Sequence, residues 1–235
     1  MAKSLASFKF EAKFEPVKHL FFDASAIMDL LEGPLAALTY AYDHSTHRLV
    51  IQRPGHQQEA FFRLPMHCRF TGNGLDLIPP PNYALVLIQS GSASIGVFEG
   101  QKCLEHKVFS AYMVRKKQGK SQVKYLKTKG KSRAGSRVRL AKTVEFFEQI
   151  NTRLQKHEQD YNLERIGLSC SKLLIPYLYN AKVAPPFQKK DERLYRIPRH
   201  INQPNHEELL KTQRYLCKAE LSFHEEEFPE LISLA

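Results

Sequence analysis

Residues 107–144 contain neither Asp nor Glu. Thirteen of the 35 Lys and Arg fall there, more than the whole net charge of +11, so the remainder of the chain is slightly acidic. The basicity is therefore local. A local positive field without acidic relief is the signature of a phosphate-backbone partner, because binding releases counterions from the polyanion. Other absences narrow the reading further. No apolar run approaches the length needed to cross a bilayer; the longest, Ala84-Leu-Val-Leu-Ile88, suits a buried strand. Met1 to Lys18 alternates Phe with charges and lacks the apolar region of an export signal, so a cytoplasmic location without a membrane partner is expected. Cys68, Cys103, Cys170 and Cys217 include no C-x-x-C pair, which argues for reduced thiols over a zinc knuckle or redox site. His44 and His47 flank a turn-like Ser45-Thr46 and are not read as metal ligands. No metal and no small-molecule cofactor is expected.

Two Gly-Lys-Ser triplets tempt a nucleotide-binding reading. A P-loop needs a further glycine five positions before the second one. Those positions hold Val114 and Tyr125, so neither triplet qualifies. The basic stretch from Arg115 to Gly135 also holds no His, Asp, Glu or Cys, and a titrating acid or base would have to come from elsewhere.

At 235 residues and 43 % apolar, the chain can bury one substantial core or two small ones. The stretch 20–31 reads as a short helix capped by Asp23 or Ser25 and stopped by Gly33-Pro34. Residues 35–42 and 47–52 read as strands around a polar turn. Pro79-Pro-Pro-Asn82 is a stiff break and the expected boundary between an N-terminal extension, 1–80, packing on the core, and a main domain, 81–235. After it, strands at 83–89, 93–98 and 103–114 are joined by tight turns, an antiparallel meander. The basic loop follows. Val138, Ala141, Val144, Phe147, Ile150 and Leu154 then recur every three or four residues, giving a long amphipathic helix with Ser136 as its expected cap. A strand at 165–170, a helix at 171–180, a strand at 193–197 and a final helix at 205–221 complete the pattern. The fold class expected is α/β, a mixed sheet with an antiparallel meander covered by helices.

The loop offers amides where chemistry would need them. Gln118 and Gln122 flank Gly119, Lys120 and Ser121. An amide does not titrate, but it can orient a water or hydroxyl, or stabilise developing negative charge. From the residues alone, two readings stand: a solvated basic loop with general affinity for anions, or an RNA-acting tip whose substrate supplies the reactive groups. Few apolar anchors (Val123, Tyr125, Leu126) offset the entropy of ordering the loop. A mobile tip that orders on RNA is expected.

Three stretches carry a family resemblance. His106-Lys107, Tyr112-Met-Val-Arg115 and Lys117-Gln-Gly-Lys-Ser-Gln122 resemble the His-Lys … Tyr-Thr-Val-Arg-x-Lys-Gln-Gly-x-x-Gln of the Vms/ANKZF peptidyl-tRNA hydrolase family. Its domain is similar to the GGQ-bearing middle domain of eukaryotic and archaeal class-one release factors. Ala134-Gly-Ser136 with Arg137 and Arg139 is similar to the family's Ala-Gly and paired arginines opening the next helix. Asp191-Glu-Arg-Leu-Tyr-Arg-Ile-Pro198 with Gln203-Pro204 resembles its Leu-Arg-Arg-Ile-Pro … Arg-Pro-Thr segment. Two positions depart from the pattern: Ala111 stands where Arg is expected, and Lys120 where the family often has Gly.

The resemblance implies a release-factor middle-domain-like fold in 81–235 and a bacterial-type, single-domain relative. It implies a factor that enters stalled large ribosomal subunits and cleaves peptidyl-tRNA, as a peptidyl-tRNA hydrolase or a tRNA 3′-end nuclease. Gln122 would be the catalytic residue. Arg115, Lys117, Gln118, Gly119, Lys120, Ser121 and Lys124 would hold the tRNA acceptor end, with Arg137 and Arg139 on neighbouring phosphates. The alternative is a non-catalytic ribosome- or tRNA-binding protein that keeps the fold.

Overall fold

The computed structural model describes residues 17–36, 38–52, 59–70, 75–76, 81–111 and 131–234; of 131–139 only the helical backbone is described. Two five-stranded sheets organise these residues. The first has the order β1-β12-β4-β3-β2, from β1 (Val17–Phe22), β2 (Thr39–Asp43), β3 (Arg48–Gln52), β4 (Ala60–Arg63) and β12 (Ala219–His224). All its pairings are antiparallel. The second has the order β11-β10-β7-β8-β9, from β7 (Asn82–Gln89), β8 (Ser92–Glu99), β9 (Lys102–Ser110), β10 (Leu163–Cys170) and β11 (Leu194–Arg196). A short hairpin, β5 (Arg69–Phe70) with β6 (Leu75–Asp76), pairs with neither of them. The α/β class and the meander read from the sequence are present: β7, β8 and β9 are consecutive antiparallel neighbours.

The meander turns are tight because glycine permits them. Gln89 pairs with Ser92 around Ser90-Gly91, and Glu99 with Lys102 around Gly100-Gln101. Gly91 and Gly100 take φ of 82° and 56°, the left-handed region that costs glycine least.

The middle strand, β7, is apolar on both sides because both faces of its sheet are covered. Tyr83, Leu85 and Leu87 pack under helix α4 (His206–Leu216), with Phe98, Leu209 and Leu216. Val86 and Ile88 face helix α2 (Lys131–Asp160), which buries Phe146, Phe147, Ile150 and Leu154 there. Helix α3 (Ile175–Tyr179) adds Leu178 to that core. The first sheet buries one face against helix α1 (Ile27–Glu32) and the C-terminal 3₁₀ turn, through Leu30, Leu31, Phe62, Phe223 and Phe228. None of the described helices is long and apolar enough to cross a membrane.

Tertiary pairing overrode several local expectations. Leu20 to Phe22 are strand, not helix, because β1 pairs along β12; only Ile27–Glu32 is α-helical. The final helix stops at Leu216, and Ala219 to Leu221 begin β12. There the burial alternates, with Ala219, Leu221 and Phe223 inward, and the strand inserts between β1 and β4. The chain beyond residue 81 thus supplies a strand to the first sheet. Helix α2 starts at Lys131, so Ser136 lies inside it rather than at its cap, and Ala141 is exposed. The N-terminal cap of α4 is as expected: the Asn205 side chain accepts from the Glu208 N–H at 2.8 Å.

A buried polar node joins the two sheets. The Arg165 guanidinium on β10 donates to the carbonyls of Met66 and Cys68, at 3.0 and 3.1 Å. Beside it, His47 is fully buried, with φ of 48°. Its Nε2 lies 2.9 Å from the Pro65 carbonyl and 3.0 Å from Arg165 Nη1, and its Nδ1 lies 2.6 Å from the Tyr42 hydroxyl. Burial, and then the neighbouring Arg165 charge, hold the ring well below its ordinary pKa, so it is neutral.

Candidate functional site at the carboxyl rim of the second sheet

Strand direction decides where the chemistry can gather. Strand β10 is parallel to both β7 and β11, and β9 runs the same way because β8 turns the chain back twice. Four of the five strands therefore end at one rim. In sheets with parallel strands, ligand sites form outside such carboxyl ends. Here the rim is made by Gln89 to Ser92, Ser110 and Ala111, Ser171 to Leu174, and residues 197–204. None of these segments contains an acid. Gln89 Nε2 donates to the Ile201 carbonyl at 2.7 Å and ties the last segment to the sheet. The Ile197 N–H donates to Leu168 at 3.1 Å and continues β11 past its end. Lys172, Leu173, His200, Asn202 and Gln203 are exposed on this rim.

The basic loop starts here. The Ala111 N–H donates to the Gly91 carbonyl at 2.9 Å, which fixes the point of departure beside the β7–β8 turn. Residues 112–130, and with them Gln122, Arg115, Lys117, Gln118, Gly119, Lys120, Ser121 and Lys124, lie outside the described residues. So does the expected mobility of that stretch. The chain is next described at Lys131, the first residue of α2.

Helix α2 is longer than the sheet it covers. Thirty residues at 1.5 Å span about 45 Å, while the eight residues of β10 span about 26 Å. The two are joined at the far end by Tyr161-Asn162 alone, so the excess projects past the carboxyl rim. Burial agrees: from Thr143 onward one side of the helix is covered, while Leu140, Ala141 and Lys142 are exposed. Arg137 and Arg139 belong to the overhanging part, inside the helix rather than opening it. Its first turn carries no acid of its own to offset the positive end of the helix dipole.

His106 lies on the α4 side of β9, opposite Gly96, and its ring stacks on His206 at 3.8 Å. It belongs to the edge strand, not to the rim. On the other face of β9, towards α2, Glu105 receives Arg153 and lies 3.1 Å from His157, which pins the C-terminal half of α2 to the sheet. The thiols are unsuited to nucleophilic work: burial pushes Cys68 and Cys170 up to about 12 and Cys217 up to about 11. Sequence reasoning missed Gln89, Lys172, His200 and Asn202. The only signal for them is strand direction, which needs the pairing partners.

The family described as Bacteroidetes VLRF1 release factor matches residues 83–224, from the start of β7 to the end of β12. No curated protein matches the chain. A solved structure titled Vms1 mitochondrial localization core is 15 % identical, covering 79 % of this chain and 91 % of its own, with a TM-score of 0.41. The family match spans more than half of the sequence and includes the loop, the overhanging helix and the 191–204 segment. The chain belongs to the Bacteroidetes VLRF1 release factor family.

Proposed function

We propose that this protein cleaves peptidyl-tRNA on stalled large ribosomal subunits and so frees the nascent chain. Family membership supports a role in translational release in general. The observation that carries the finer reading is the acid-free rim: a basic loop departs from it beside an overhanging helix whose first turn has no acid. Such a projection can reach a polyanion that the body of the protein does not touch. In this reading Gln122 orients a water or a tRNA hydroxyl at the acceptor end. Arg115, Lys117, Gln118, Gly119, Lys120, Ser121 and Lys124 hold that end, and Arg137 and Arg139 meet neighbouring phosphates. The amide needs no titrating partner, because the substrate's own vicinal hydroxyls supply the reactive group.

The test is release of a labelled nascent chain from purified stalled large subunits. Gln122→Ala is expected to slow release by about a hundredfold or more while ribosome binding persists. Equal release by both proteins would remove Gln122 from the chemistry. The tRNA 3′ ends report the bond cut: shortened, uniform ends mean backbone cleavage, and intact tRNA with free peptide means ester hydrolysis. The second reading, a binder without activity, is motivated by Ala111 and Lys120, both departures from the family pattern. It predicts salt-sensitive binding and unchanged peptidyl-tRNA.

A further inference from the structure

Helix α3 and the residues after it wall a groove against α2. Val144, Pro176, Tyr177, Asn180, Ala181 and Lys182 line it, and its volume is about 220 Å³. One ring dominates it. Tyr177 stacks on Phe147 with centroids 5.9 Å apart and planes 19° from parallel. Phe147 is fully buried, whereas Tyr177 is 40 % exposed. The aromatic stack therefore begins in the core and ends at the surface. Beside it stand an exposed amide, Asn180, and an exposed cation, Lys182, which has no ion pair among the described residues.

The groove is held in shape from beneath. Asn151, buried on α2, donates to the carbonyls of Leu178 at 2.8 Å and Val183 at 2.7 Å. These two bonds bracket residues 180–182. The lining has no carboxylate; the nearby Glu145 on α2 is engaged by Lys142 at 2.7 Å. Val144 is the last residue of the acid-free run, and it lies about 20 Å along the helix axis from Lys131. The groove thus continues the positive overhang of α2 towards the body of the protein. A flat aromatic face, an amide and a cation on the path of a polyanion match an unpaired nucleobase with its phosphate. An apolar peptide would leave the amide and the cation without a role.

We propose that this groove is a stacking subsite for one unpaired nucleobase of RNA, with Tyr177 as the platform, Asn180 at the base edge and Lys182 at the phosphate. The proposal deepens the reading of the chain as a factor acting on the tRNA acceptor end, and rests on it for the identity of the strand.

The probe is the tetraribonucleotide ACCA, titrated into the full-length protein and followed by fluorescence anisotropy, with release from stalled subunits measured in parallel. Tyr177→Ala is expected to weaken RNA binding between about fivefold and a hundredfold, the range of one base–aromatic stack. Tyr177→Phe is expected to bind within about twofold of the parent, since stacking needs the ring and not the hydroxyl. Lys182→Gln should lower the log–log salt slope by a little under one unit. Equal affinity in wild type and Tyr177→Ala, or no binding by wild type at millimolar RNA, overturns the subsite. If Gln122→Ala still releases peptide while Tyr177→Ala loses RNA, the reaction assignment falls and the subsite stands. If Gln122→Ala is inactive while Tyr177→Ala binds and releases normally, the subsite falls and the function stands.

Discussion

The side-chain amide of Asn151 donates to the Val183 carbonyl at 2.7 Å, and through the same nitrogen to Leu178 at 2.8 Å. One fully buried residue of α2 thereby anchors both α3 and the chain that follows it. Asn151→Ala strands two carbonyls and should cost about 2–3 kcal/mol, read as a lower urea midpoint with an unchanged slope. A loss below about 0.5 kcal/mol would mean that the segment holds its place without this amide.

The overhang of α2 makes a separable claim about charge. Replacing Arg137 and Arg139 together by Gln should reduce the salt dependence of tRNA binding by about one to two units of log–log slope, since each phosphate contact contributes somewhat less than one. Stability should hardly change, because this part of the helix lies beyond the sheet. An unchanged slope would show that these arginines do not meet phosphate.

His47 sets an acid limit on the fold. Burial and Arg165 depress its folded pKa below the ordinary 6.5, so the unfolded chain binds the proton first. The stabilisation is complete above about pH 6.5 and is lost as pH falls below it, at up to about 1.4 kcal/mol per pH unit for this one proton. Asn tolerates the positive φ at this position. His47→Asn should therefore be less stable at pH 7.5 yet lose less on acidification to pH 5.5. Parallel stability–pH curves for the two proteins would place the acid sensitivity elsewhere.

Gly96 leaves room for Leu209 of α4 against the second sheet. A Cβ there would sit 2.8 Å from Leu209 Cδ2 and 2.9 Å from Phe98 Cε2. Gly96→Val should cost about 1–3 kcal/mol through overpacking, seen as a lower melting temperature. Adding Leu209→Ala should recover part of that loss; strictly additive losses would show that the two sites do not touch.

Much of this protein is local and therefore readable in one dimension. The meander is written in an apolar strand followed by two glycine turns, Gly91 and Gly100. The long helix is written in the spacing of Phe147, Ile150 and Leu154. The acid-free run, its central Gln122 and the paired Arg137 and Arg139 need no coordinates, since charge and motif spacing are properties of the chain. What lay beyond the sequence depends on partners far away in it. Leu20 to Phe22 are strand because β12 runs beside them, and β12 is strand because β1 and β4 flank it, some 150 to 200 residues earlier. Ala141 follows the helical period yet is exposed, because burial ends where the sheet ends. Only the parallel pairing of β10 with β7 and β11 brings Gln89, Lys172, His200 and Asn202 to one rim. Hydrophobic period records which side of an element is apolar. Strand direction and the reach of a helix past its sheet are relations between elements, and packing alone settles them.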